Sequence, residues 1–175
     1  MIVMASTDWV AVALPLGIPL LSGVLAWVAN GIRADHTRRK QLYADAFAAV
    51  VAYQEFPFRI NRRRAPIEGH EEIGNEERLR ISEALHEVQQ SISNYRAQLS
   101  TESPAVSARY DALVTRSREI AGSAMREAWK GPPLDNDAGM NMSVNYNALV
   151  APEDEYLAAA KKDVKWCKAP RSLPI

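Results

Sequence analysis

The chain is poor in the residues that most often carry chemistry. It has one cysteine, Cys167, and three histidines in 175 residues. A single thiol excludes an internal disulfide and any Cys-x-x-Cys pair, and it agrees with a reducing compartment. His36, His70 and His86 are scattered, and no second histidine stands four residues from His86, so the paired-histidine zinc helix is missing. His70 lies in a run, Glu68-Gly69-His70-Glu71-Glu72, that reads as solvated charge rather than a ligand set. There is no Gly-x-x-x-x-Gly-Lys-Ser/Thr phosphate cradle and no Gly-x-Ser-x-Gly elbow. Residues 135–139, DNDAG, look like the start of a calcium loop. However, the glycine falls one position early, and Tyr146 stands where the bidentate glutamate belongs. These absences nominate no catalytic residue, no cofactor and no metal ligand, and the expectation is a protein that is not an enzyme.

The most informative absence is of charge. Although 24% of the residues are charged, residues 9–31 contain no Asp, Glu, Lys or Arg, and the gap is bounded by Asp8 and Arg33. Within it, residues 9–28 read WVAVALPLGIPLLSGVLAWV. At about 1.5 Å per helical residue such a segment spans roughly 30 Å, the thickness of a bilayer core. Trp9 and Trp27 sit near its ends, where indole rings favour the headgroup level. Pro15 and Pro19 predict a kink, and Ser22-Gly23 offers a small spot for a neighbouring helix. A buried core helix is the alternative, but one this long without a polar face is rare. A cleaved signal peptide is the other competitor. Its leading region would be MIVMASTD, which has no Lys or Arg and carries Asp8. The cations follow the segment instead, as Arg33, Arg38, Arg39 and Lys40. The positive-inside rule then predicts a single pass of the inner (plasma) membrane. Residues 1–8 would lie outside, residues 9–31 would cross, and the remainder would be cytoplasmic, with Trp9, Trp27 and those four cations at the membrane interface. A glycosylation sequon at Asn141-Met142-Ser143 is irrelevant in that topology.

Net charge is zero overall but unevenly placed. Residues 33–64 hold eight Lys/Arg against three Asp/Glu, whereas residues 65–175 hold thirteen against seventeen. A nucleic-acid binder would be basic across a whole face, so the pattern argues against a nucleic-acid partner. It suits a chain that is basic close to anionic lipid and mildly acidic farther away.

Hydrophobic periodicity predicts an all-α domain, and no segment has a strand period. A first cytoplasmic helix is expected at about 33–60, with Gly31 either a hinge or part of a continuous helix and Pro57 bending or ending it. A second is expected at about 75–100, capped by Asn75. Its residues Ile81, Leu85, Val88, Ile92, Tyr95 and Leu99 recur at spacings of 4, 3, 4, 3 and 4, a heptad seam. Ser103-Pro104 opens a third helix at 104–130, where Val106, Tyr110, Leu113, Ser117, Ile120 and Ala124 repeat the spacing. Gly131-Pro132-Pro133 ends it. Residues 131–151 are expected to form a long irregular loop, a class of segment that often matters functionally. A last helix at 152–168 follows, with Tyr156, Leu157, Ala160, Val164 and Cys167 on its packed face and a frayed tail at 169–175. The expected architecture is therefore an N-terminal transmembrane helix, an antiparallel bundle of three long helices and a short C-terminal helix.

The best candidate for recognition is the cluster Arg59, Arg62, Arg63 and Arg64. On an upright helix it would stand well beyond the Debye length from lipid and present cations to an acidic protein surface, to a nucleic acid, or to Glu68, Glu71 and Glu72; on a helix lying flat the same arginines would meet lipid headgroups. The run RRKQLYADAFAAVVAYQEFPFRINRRR, with its Phe56-Pro57-Phe58 step, resembles a pattern in small uncharacterised bacterial membrane proteins. These are chiefly actinobacterial and phage-associated single-pass proteins with a helical cytoplasmic domain. The resemblance spans residues 9–64 and implies an anchored helical protein with a part in phage–host conflict. It implies no site residue. Two functional expectations follow. One is a membrane-anchored interaction or scaffold protein, whose partners are the bilayer and either itself or another membrane-associated protein. The other is a membrane-acting effector or phage-exclusion factor that self-assembles through its transmembrane helix.

Overall fold

The computed structural model describes the backbone of residues 9–63, 71–133 and 144–166. It describes side chains within those ranges from residue 30 onward, Ile32, Glu71 and Trp166 excepted. Among the described residues the fold is all-α. It comprises α1 (Trp9–Gln54), α2 (Phe56–Asn61), α3 (Glu71–Glu102), α4 (Pro104–Lys130) and α5 (Val150–Trp166), the last preceded by a 3-10 turn, Tyr146–Leu149. Among the described residues no helix is long and apolar enough to cross a membrane. The side chains of residues 9–29, where the sequence expects the span, lie outside them.

α1 is one helix of 46 residues, about 69 Å long. The backbone stays helical through Gly31, which is exposed and has open space around it. Gly31 is therefore part of a continuous helix and not a break between two. The expected first helix ends early, at Gln54, and the reason is Pro57. Proline cannot donate to the preceding turn, so the chain bends at Glu55 and restarts as α2 with Pro57 in its first turn. The bend turns Phe56, Pro57 and Ile60 inward, where all three are buried. Tyr146 closes the end of α1 by donating its hydroxyl to the Gln54 carbonyl at 2.6 Å, satisfying one of the acceptors that a helix end leaves open.

α3 begins at Glu71, one turn before the expected start, so Asn75 is inside the helix and not its cap. It also runs on to Glu102. Only Ser103 separates it from α4, in an extended conformation with φ −154° and ψ 101°. The Ser103 carbonyl accepts from Ser107 N at 2.9 Å, but its hydroxyl makes no cap to α4, because it donates to Asp163 on α5. α4 occupies the expected residues and stops at Gly131, whose backbone is extended, with φ −75° and ψ 160°. Pro132 and Pro133 prevent continuation. α5 starts at Val150, two residues earlier than expected.

The core lies between these helices. α1 contributes Leu42, Tyr43, Ala46, Val50 and Tyr53, and α2 contributes Phe56 and Ile60. The heptad seam of α3 supplies Ile81, Ile92 and Leu99 as buried residues, with Leu85, Val88 and Tyr95 half-buried against them. On α4 the buried stripe departs from the expected seam after Ser117. It continues through Ala121, Met125 and Ala128, while Ile120 and Ala124 are only half-buried. A straight helix drifts about 20° per heptad against a strict seven-residue repeat, so toward the end of α4 the neighbouring row Ser107, Val114, Ala121 and Ala128, buried throughout, replaces Val106, Leu113 and Ile120 at the centre of the inward face. On α5, Tyr156 and Ala160 are buried and Val164 is half-buried. Leu157 is exposed, contrary to expectation, because it lies about 100° around the helix from Tyr156. Tyr156 stacks on Phe47 at 6.0 Å and tilts against Tyr110 at 5.7 Å, joining α5 to α1 and α4.

One chemical change at two sites measures how much of the stability resides in this core. Leu99 is 0% exposed and Leu79 is 60% exposed. Leu99→Ala is expected to destabilise the chain by about 3 kcal/mol, and Leu79→Ala by less than about 0.5 kcal/mol, in thermal melts followed by circular dichroism.

Candidate functional site

The densest polar constellation lies where α1 leaves the bundle. Asp35, Arg39 and Tyr43 are spaced one turn apart on α1, on the face that continues into the core. Arg39 is buried and binds Asp35 at 2.9 Å, Glu102 at 2.7 Å and Asp163 at 3.2 Å. Asp163 also accepts from the Tyr43 hydroxyl at 2.7 Å and the Ser103 hydroxyl at 2.9 Å. Arg38 bridges Asp35 at 3.1 Å and Glu102 at 2.8 Å from the exposed side. One guanidinium thus joins α1, the end of α3 and the end of α5. Arginine suits the position because its planar fork donates in several directions at once.

The electrostatics follow from this geometry. Burial pushes the Asp163 carboxyl upward, but hydrogen bonds from Tyr43, Ser103 and Arg39 outweigh it and hold the group below its ordinary 3.8. Burial likewise opposes the bonds from Arg38 and Arg39 at Asp35, and again the arginines prevail. The Tyr43 phenol is pushed up by burial and by its bond to the Asp163 carboxylate, so it stays protonated as a donor.

The residues nominated from sequence for the membrane interface separate into three groups. Arg33 and Lys40 are exposed. Arg38 is exposed but ion-paired, and Arg39 is corrected from a lipid-facing cation to the centre of a buried cluster, because three carboxylates from two other helices and its own converge on it. Trp9 and Trp27 belong to α1, and their side chains lie outside the described residues. Glu102, Ser103, Tyr43 and Asp163 were not nominated. Their only sequence signal is the Asp35-Arg39-Tyr43 spacing, three polar-tipped residues on a face that is apolar farther on.

The arginine cluster at the other end of α1 is also divided. Arg63 is buried and donates to the carbonyls of Ile60 at 2.9 Å, Ala128 at 2.9 Å and Gly131 at 2.6 Å. It also lies 5.1 Å over the Trp129 ring. Burial depresses its basicity, but the group remains a cation. It closes the ends of α2 and α4 and is unavailable to a partner, which corrects the sequence expectation. Arg59 is exposed and stacks 5.1 Å over Phe56. Arg62 is exposed, and Arg64 lies outside the described residues.

A groove of about 540 Å³ runs between the start of α4 and α5, with an alanine floor of Ala105, Ala158 and Ala159. Arg109 and Lys162 line it, and the Arg109–Glu155 ion pair, 2.7 Å, crosses it. Among the described residues no three His, Cys, Asp or Glu side chains are grouped to hold a metal. His86 is exposed on α3; His70 and the stretch 135–139 lie outside the described residues.

Three variants test these contacts. A carboxylate whose folded value is lowered contributes stability above its ordinary value and loses it as pH falls through the folded one. Acid melts should therefore show a component lost below about pH 4 that Asp163→Asn removes, with about 2 kcal/mol less stability at pH 7. Arg63→Lys should cost about 1–2 kcal/mol, since one ammonium cannot serve three carbonyls as the fork does. Arg59→Ala should cost less than about 0.5 kcal/mol in the same melts.

Comparison with protein-family models, with curated proteins and with solved structures finds no match to this chain.

Proposed function

We propose that the protein is a membrane-anchored helical interaction module. Residues 9–31 cross the inner (plasma) membrane with the N-terminus outside, and the bundle works on the cytoplasmic side by binding a second copy or another membrane-associated protein. The observation that carries this reading is the continuity of α1. The same helix that contains the uncharged stretch supplies the inner wall of the bundle, from Leu42 to Tyr53. An anchor joined without a break to a packed core fixes where the bundle sits and which end faces the lipid. The exposed cations Arg33 and Lys40 follow the uncharged stretch, as cytoplasmic flanks do. The α4–α5 groove, with its alanine floor, the Arg109–Glu155 pair, Lys162 and Asp163, offers a mixed-charge surface for contact.

Membrane fractionation of the full chain tests this. After an alkaline carbonate wash the intact protein is expected in the pellet. A protease applied from outside is expected to leave residues 33–175 intact in sealed cells. Recovery of the intact chain in the washed supernatant would refute the anchor.

A further inference from the structure

We propose that the outward face of α1 is the contact between two parallel copies of this chain, with Lys40 of each copy set against Asp45 of the other. The inference names the partner of the interaction module proposed above and rests on that reading, but it does not require the anchor. In a seven-residue frame with Gln41 and Ala48 at a, and Ala44 and Val51 at d, positions b, c and f hold Leu42, Tyr43, Ala46, Val50 and Tyr53. Those five are buried in the chain's own bundle. The a and d residues face the other way and are exposed, Val51 at 38%. α1 therefore carries two seams, and no described segment covers the outer one. Its composition is not that of a solvated face. From residue 41 to 54 the only charged residue is Asp45. The exposed sides of α3 and α4, by contrast, carry Glu83, Glu87, Arg116 and Glu119. A helix is expected to keep charge on the side it turns to water, and the outer side of α1 carries Ala44, Ala48 and Val51 there instead.

The flanking charges choose the partner and its direction. Lys40 is exposed at g, and Asp45 is half-exposed at the following e. In a parallel pair, g of one helix meets the next e of the other, so a two-fold axis along the seam forms two Lys40–Asp45 bridges at once. In an antiparallel pair g meets g and e meets e, and these two residues have no opposite charge to face. The Gln41 side-chain amide donates to Asp45 at 2.8 Å and directs the carboxylate along the edge of the seam. A polar side chain at a is the usual device for fixing register in a two-stranded pair.

Cysteine crosslinking of the full chain tests the proposal in a Cys167→Ser background. Single Ala44→Cys and Ala48→Cys variants in native membranes are expected to form disulfide dimers on mild oxidation, and Gln90→Cys, exposed on α3, is not. Lys40→Asp added to Ala48→Cys is expected to lower the dimer yield roughly three- to tenfold, the scale of two exposed ion pairs turned to repulsion. Adding Asp45→Lys is expected to restore it, with unchanged helix content by circular dichroism. Equal yields at positions 44, 48 and 90, or a Lys40→Asp loss that Asp45→Lys does not reverse, would overturn the proposal. If the chain fails the carbonate wash, the same crosslinks in solution still decide the contact.

Discussion

Arg39 ties three separate parts of the fold together through charge. Its partners come from its own helix, from the end of α3 and from the end of α5. Its side chain is 11% exposed, so water screens these pairs only weakly. Removing such a cation from water costs nearly as much as its partners return, and the cluster is therefore a poor source of net stability. What it supplies is selection. A shift of α1 by one residue would carry Arg39 about 100° around the helix, away from Asp163 and Glu102, and would leave buried carboxylates unpaired. The apolar core alone would tolerate neighbouring registers far more readily.

The two ends of the bundle use arginine in different ways. Arg39 is answered by carboxylates. Arg63 is answered by carbonyls at the ends of α2 and α4, where the last turns leave acceptors open. Between them, Val50, Phe56, Tyr110, Leu113 and Tyr156 fill the interior with aromatic and branched side chains at 0% exposure. The burial of such residues contributes about 1.5–3 kcal/mol each. The interior supplies the stability, and the two polar ends hold each helix at one height. Because α1 is continuous, the height and rotation of the uncharged stretch are set by the same contacts.

The parts of this arrangement that were legible in the sequence are those with local causes. Ser103-Pro104 and Gly131-Pro132 bound α4 at the expected residues because the starting and stopping signals lie within the segment itself. The α3 seam was legible because six large apolar residues keep one period. The break at Glu55 was half legible: Pro57 announced a disturbance, but only the packing of Phe56 and Ile60 shows that the chain turns inward there. The Arg39 cluster was not legible as a site, because its decisive partner lies 124 residues away along the chain. A cation next to an uncharged stretch reads as a lipid contact until the α5 carboxylate is placed beside it. Arg63 misled for the same reason, since a run of arginines looks like a surface until one of them is found over Trp129.

The placement of the bundle rests on α1 being one unbroken helix from the uncharged stretch into the core. Amide hydrogen exchange of the full chain in detergent micelles, read by mass spectrometry across residues 28–40, measures this directly. Slow exchange through Asn30, Gly31 and Asp35, merging into the protection of residues 42–54, is the expected result. A window of fast-exchanging amides at Gly31, flanked by protected residues on both sides, would show two helices joined by a hinge and would contradict it.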